Sequence, residues 1–320
     1  MKFAQIAGSA QNTAIAVPII TSRSPLLNDW IEFFTKPGTA ATVRTEGLST
    51  DIAAKTRQLE QGYQAATVRP QTTTIGRKFM GGEIQIDMAY EKMGYDIGSE
   101  FLTQLKRHMI DFPTIFHYLL IKGNPDVDAK QFAGLEILTP ATQKITAGAN
   151  GLELLYGSDN AAKKSQQTFL EKINLLIERC KGTSKVLIMN DRVKAYFNTV
   201  AQGAIQQTVN SFGVPIDRYN NTPMINLGDV QTAPRVYSPI LQFNETVGTA
   251  ENCSSIYCVN FAEEDGMSFM TTSGGFEVYD MRKVDNWIKA QYELIADSTL
   301  IRSNALAKLE GLKFGNENPA

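Results

Sequence analysis

The stretch from about Asp96 to Lys122 constrains the fold more than any other part of the chain. Ile97, Phe101, Leu105, Met109, Phe112, Phe116 and Leu119 or Leu120 recur at three- and four-residue spacing, the repeat of a single buried helix face. Gly123 is a natural stop, since glycine adopts helix-ending backbone conformations without steric cost. At 1.5 Å per residue such a helix runs about 38 Å, with a bend or restart expected at Pro113 and Asp111 placed as a cap. An apolar stripe at this spacing is read as core rather than as a cofactor surface.

Residues 1–61 read differently. They are rich in Thr, Ala, Gln and Gly and are punctuated by Pro18, Pro25 and Pro37. Such a segment cannot build its own core. Its apolar patch from Leu26 to Phe34 must dock on the rest of this chain or on a neighbouring one. The expectation is an extended, non-helical arm. From Ile84 to Tyr90 apolar and polar residues then alternate with a period of two, the mark of a half-buried strand. Gln64 to Arg69 is its expected partner, and the intervening residues would carry Arg77, Lys78 and Phe79 near the tip of a long hairpin. Two strands alone are marginal in water, so this hairpin is expected to gain its order against another subunit. On exposure logic, Trp30, Phe33, Phe34, Arg77, Lys78 and Phe79 are the candidate intersubunit residues.

A second amphipathic helix is expected from about Ser165 to Lys181, with Phe169, Leu170, Ile173, Leu176, Ile177 and Cys180 on one face. Thr168 and Glu171 have capping-box spacing and Gly182 closes it. A strand over Val186 to Met189 and a helix from Asn190 or Asp191 to about Val200 complete an α/β unit. The last third is strand-dominated: Gly213 to Ile216, Pro223 to Ile225, Ser255 to Val259, Met267 to Thr271, Phe276 to Met281, and an alternating run from Ile288 to Leu294. The class is α+β, with no internal repeat.

Composition narrows the function. Of 320 residues, 43% are apolar and 20% charged, which supports a sizeable core, and 31 basic against 33 acidic side chains give no broad basic face for phosphate-driven nucleic-acid binding. The early apolar run, Ala14 to Ile20, is interrupted by Pro18 and is far too short to span a bilayer. No secretory signal is read, so folding is expected in a cytoplasm, with no membrane partner.

Chemistry-bearing patterns fall short. Cys180, Cys253 and Cys258 have no nearby histidine, and a zinc site needs about four ligands, so they are read as small buried hydrophobes. His108 and His117 stand on opposite faces of the long helix. The stretch from Gly157 to Ser165 resembles a phosphate loop, but Ala162 replaces the second glycine. Gly266-Met267-Ser268 lacks the second glycine of a nucleophile elbow, and Glu263-Glu264-Asp265 is read as a solvated turn. No catalytic, cofactor or metal site is expected, and an enzyme is a minority reading.

The order of these parts resembles the tailed-bacteriophage major capsid proteins of the Hong Kong 97 fold. The resemblance rests on Leu119-Leu-Ile-Lys-Gly123-Asn124 followed by Phe132-Ala-Gly134-Leu135, on Lys185 to Asn190 followed by Arg192, and on Gly213-Val-Pro215-Ile216. The closing run from Trp287 to Leu294, then Ser303 to Gly311, is also similar. Together these span nearly the whole chain, and their order and spacing carry the likeness.

The resemblance implies an N-terminal arm over 1–61 and an extended loop over 62–95. It implies a peripheral domain with its spine helix over 96–135 and 284–320, and an axial domain over 136–283. It implies a structural protein that assembles as hexamers and pentamers into an icosahedral head around double-stranded DNA, held by weak contact. A separate scaffolding protein, a portal and a decoration or cement protein are the implied partners, and the virion, assembled in the bacterial host cytoplasm, the implied location. Some relatives crosslink a loop lysine to a neighbour; Lys78 is read instead as solvated or paired. An encapsulin-like compartment is the alternative within the fold, and a monomeric α/β enzyme the alternative outside it.

Overall fold

The computed structural model describes residues 1–36, 40–46, 71–210 and 213–315. Its first elements are α1 (Gln11–Arg23), β1 (Phe33–Thr35), β2 (Ala40–Thr45), β3 (Gln71–Gly76), β4 (Lys78–Asp87), α2 (Ala89–Lys92) and α3 (Ile97–Lys122). The middle of the chain adds α4 (Leu135–Leu138), β5 (Lys144–Thr146), β6 (Leu152–Glu153), α5 (Asn160–Arg179), β7 (Lys185–Ile188) and α6 (Asp191–Val200). Strands β8 (Ile205–Val209), β9 (Pro215–Tyr219), β10 (Thr222–Ile225), β11 (Asp229–Ala233) and β12 (Val236–Pro239) follow. The chain closes with β13 (Glu245–Val247), β14 (Ala250–Asn260), β15 (Met267–Val278), β16 (Arg282–Val284), β17 (Trp287–Leu300) and β18 (Leu306–Lys313).

Helix α3 forms as its spacing predicts. Asp96 caps it, Oδ1 accepting from Gly98 N at 3.0 Å, and Phe101, Leu105, Met109, Phe112, Phe116 and Leu120 are its buried stripe. Pro113 differs from expectation: it lies inside one continuous helix of 26 residues. Proline removes one backbone hydrogen bond, but Pro113 is itself buried between Phe112 and Phe116, and that burial offsets the loss.

Two sheets flank this helix. In the first, β17 is central, pairing antiparallel with β15, β16 and β4, while β1 joins β15 in parallel. The second has the order β5-β18-β14-β7-β10-β9-β8, with β13 added on β14 and β6 on β18. Its strands bury both faces. Val186, Ile188, Tyr257, Val259 and Leu306 join the core around α3, while Leu187, Ile256, Cys258, Ala307 and Leu309 join a second core with α5 and α6.

Four expectations are corrected by these pairings. Over residues 1–36 the N-terminal segment is folded and partly helical: Gln11–Arg23 is a helix despite Pro18, because Ala16 and Ile20 are buried against the rest of the core and outweigh the proline penalty of about 3 kcal/mol. The strand containing Ile84 and Ile86 pairs with β17, and it stops at Asp87, so that Tyr90 lies in α2 instead of in the strand. The proposed partner over 64–69 lies outside the described residues; the ladder observed beside it joins β2 to β3, from Ala40↔Gly76 to Thr45↔Gln71. Helix α5 begins at Asn160 with Asp159 as its cap, Oδ1 accepting from Ala162 N at 2.9 Å, so Thr168 and Glu171 lie within it. Finally, the sheets cross the expected domain limits: β15 belongs with β17, and β18 returns to pair with β14. Non-local pairing, invisible in chain order, decides both.

Candidate assembly surfaces

The β2–β3 ladder is the least supported part of the described fold. Five of the six β3 residues are exposed, and only Val43 and Ile75 turn inward, onto Phe34, Met270 and Ile301. Its Thr45–Gln71 end is tied by Glu46, whose carboxylate accepts from Ser303 N at 2.9 Å and from Ser303 Oγ at 2.5 Å, and whose N–H donates to Ile301 O at 2.7 Å. Those serine hydrogen bonds hold the Glu46 carboxyl below its usual range. Arg77 reaches across the root to the carbonyl of Lys36. Among the described residues the ladder has one apolar side and no third strand, and a two-stranded ladder is marginal by itself in water.

The six candidate residues separate in space. Phe33 is fully buried and Phe34 is 6% exposed, both spent on this chain's own core, which corrects the exposure argument made for them. Phe33 packs on Phe3 and Phe269 with ring centroids 6.0 and 5.7 Å apart. Trp30 is half-buried against the same core, its carbonyl accepting from Lys2 Nζ at 3.0 Å. Arg77, Lys78 and Phe79 sit together where the Ala40–Gly76 end of the ladder runs into β4. Lys78 opens β4 and donates from Nζ to Ala129 O at 2.6 Å. Phe79 alone of the six is broadly accessible, 62% exposed beside a cleft of about 260 Å³ shared with Lys78, Lys130 and Phe132.

Sequence reasoning missed a second surface. Tyr90, Met93, Tyr95, Met281 and Trp287 are exposed around the corner where α2 meets the β16–β17 turn. The corner is fastened by Met88 N to Asn286 O at 2.9 Å and by the Lys283–Glu91 ion pair at 3.3 Å. Tyr90 and Tyr95 rings stand 5.4 Å apart. The clustering of Tyr90, Met93 and Tyr95 was visible in the sequence, but assigning Tyr90 to a strand hid it.

One buried pair has the look of catalytic machinery. His117 Nε2 lies 2.7 Å from Ser24 Oγ, and Nδ1 lies 3.1 Å from Leu227 O. With Nδ1–H donating to the carbonyl, Nε2 accepts the serine proton. Yet Ser24 is fully buried and its oxygen also accepts from Leu27 N at 3.1 Å. Burial pushes the imidazole down to about 4, leaving a weak base. The pair clips the end of α1 to α3. Among the described residues no group of three His, Cys, Asp or Glu side chains converges as a metal site would, and the three cysteines are free and buried.

No family model and no curated protein matches the chain. Solved structures do. The SrpI encapsulin complex of Synechococcus elongatus aligns with TM-score 0.58 at 9% identity, over 91% of this chain and 88% of that one. The capsid of a native GTA particle aligns with TM-score 0.55 at 10% identity, over 98% and 95%. A chain from the procapsid of satellite phage P4 aligns with TM-score 0.50 at 10% identity, over 94% and 99%. The chain has the Hong Kong 97-type capsid fold, an α+β architecture shared by these shells.

Proposed function

We propose that this chain is the major capsid protein of a tailed bacteriophage, assembling with itself as hexamers and pentamers into an icosahedral head around double-stranded DNA. The observation that carries the reading is the β2–β3 ladder, laid against a capsid-type body by its apolar side through Val43 and Ile75, with the other β3 side chains exposed. In a lone subunit that ladder is a liability; against a neighbour it becomes buried interface. The exposed corner of Tyr90, Met93, Tyr95 and Trp287 is the second contact, and Phe79 the third. The body divides into a peripheral part, α1 and α3 with the β17 sheet, and an axial part, α5 and α6 with the β14 sheet. A separate scaffolding protein, a portal and a decoration protein are the partners, and DNA is held weakly by a chain of net charge −2. Its role is mechanical, and its place the virion assembled in the host cytoplasm.

A compartment that stores protein cargo is the second reading. What favours it is the N-terminal segment, folded into its own core through Thr35 instead of reaching out as an arm. Native mass and electron microscopy of the recombinant chain, alone and with a scaffold from the same genome, test both. Capsomers of five or six 35.3 kDa copies, or closed shells, support assembly. Nuclease-protected DNA then favours the head and co-purified enzyme the compartment. A persistent monomer overturns both.

A further inference from the structure

Asp297 lies in β17, directly across the ladder from Met270, and Met270 belongs to the apolar cluster that roots the β2–β3 ladder through Val43 and Ile75. Its side chain is nearly buried, and its one hydrogen bond is the N–H of Ser298 to Oδ1 at 2.8 Å. It faces a cleft of about 580 Å³ between the ladder root and the body, walled by Thr45, Thr73, Thr74, Ile75, Gln131 and Ser298 among others. Among the described residues the only other ionisable side chain in that wall is Lys78, and its ammonium is engaged with Ala129 O at 2.6 Å. Among the described residues, neither the ladder nor the segment from Pro125 to Leu138 presents a charged group to the cleft. At the root's edges Arg77 turns to Lys36 O and Glu46 to Ser303.

We propose that the seating of the β2–β3 ladder on the body is coupled to protonation of Asp297, tight when the carboxyl is neutral and looser when it is ionised. The physical reason is the mismatch at the root: beside an apolar cluster stands a nearly buried carboxylate that has one hydrogen bond and no ion pair among the described residues. Lifting the root lets water reach the charge. The direction of titration agrees, since burial raises the Asp297 carboxyl from 3.8 to about 6, with Lys78 opposing. A raised carboxyl favours the seated state fully below 3.8 and loses that advantage as pH rises through about 6. Glu46, held ionised by Ser303, acts with the opposite sign but below its ordinary 4.5, so the window from pH 5 to 7.5 isolates Asp297. The inference holds whether the assembled shell contains DNA or protein.

The test is amide hydrogen exchange across Thr42–Glu46 and Thr72–Gly76 in the full chain, at one oligomeric state, corrected for intrinsic rates. From pH 5.0 to 7.5 protection at the root should fall about tenfold, the change expected of a carboxyl moving between 3.8 open and about 6 seated. Asp297→Asn should hold protection constant within about twofold. Lys78→Met, which removes the opposing charge, should move the transition to higher pH. Root protection that does not change with pH in the parent chain overturns the proposal, as does a dependence that survives Asp297→Asn or a midpoint unmoved by Lys78→Met.

Discussion

Acid should undo the N-terminal clip, and the size of the effect follows from one side chain. His117 accepts from Ser24 and donates to Leu227 O in a buried site, and burial lowers it from 6.5 to about 4. The unfolded chain therefore takes up this proton before the folded one does. Stability from the neutral imidazole is fully present above pH 6.5 and is lost as pH falls toward 4. Between pH 7.5 and 4.5 the loss is about 2.5 kcal/mol, a large part of the 5–15 kcal/mol that holds a typical domain. Other groups titrate too, so the useful quantity is the difference between the parent chain and His117→Gln, which cancels them. Urea denaturation of both at pH 7.5, 6.0, 5.0 and 4.5, at matched assembly state, should show the gap closing by about that amount in acid. Because the chain has only two histidines, an NMR titration assigned with His108→Gln reads the same group directly. A gap that stays constant with pH, or a His117 resonance that titrates near 6.5, would refute the reasoning.

Other expectations follow from single contacts. Removing the α5 cap by Asp159→Ala should cost about 1 kcal/mol in urea denaturation, whereas Thr168→Ala, at the cap position suggested by spacing, should cost much less. Phe276→Ala should cost about 3–5 kcal/mol, because the ring is fully buried 5.2 Å from Phe3 and 5.3 Å from Phe112, joining the N-terminal segment to α3. Phe79→Ser combined with Trp287→Ser should leave thermal unfolding of the dispersed chain within a few degrees and reduce shell yield by microscopy; unchanged yield would remove both from the interface.

Local signals were legible and long-range ones were not. The stripe of α3, the strand β7 and the helix α6 after it are all set by residues within a few positions of one another, and each formed as read, whereas the cap of α3 is Asp96 and not Asp111, which lies inside the continuous helix. Helix α1 was hidden because Pro18 and a run of β-branched residues oppose it locally, and only contacts with distant residues such as Val278, whose N–H donates to Thr13 Oγ1 at 2.8 Å, repay that cost. The root of the ladder was misplaced for a related reason. Alternation identified β4 as a half-buried strand, but the period is the same whichever strand it pairs with. The ten-residue register with β17, set across more than 200 positions of chain, drew Arg77, Lys78 and Phe79 into the body.

Two joints thus hold the N-terminal segment and the β2–β3 ladder to the body, and they answer protons in opposite senses. At the Ser24–His117 clip the buried group is a base kept neutral, so acid places a charge in a buried site that disfavours it. At the ladder root the buried group is an acid, so the same proton removes a charge. Falling pH between about 6.5 and 5 therefore loosens the N-terminal segment while seating the ladder. Hydrogen exchange on the parent chain should record protection falling at Leu26–Trp30 and rising at Thr72–Gly76 over that range. Movement of both segments in the same direction would mean that a global change in stability, and not these two side chains, governs the response.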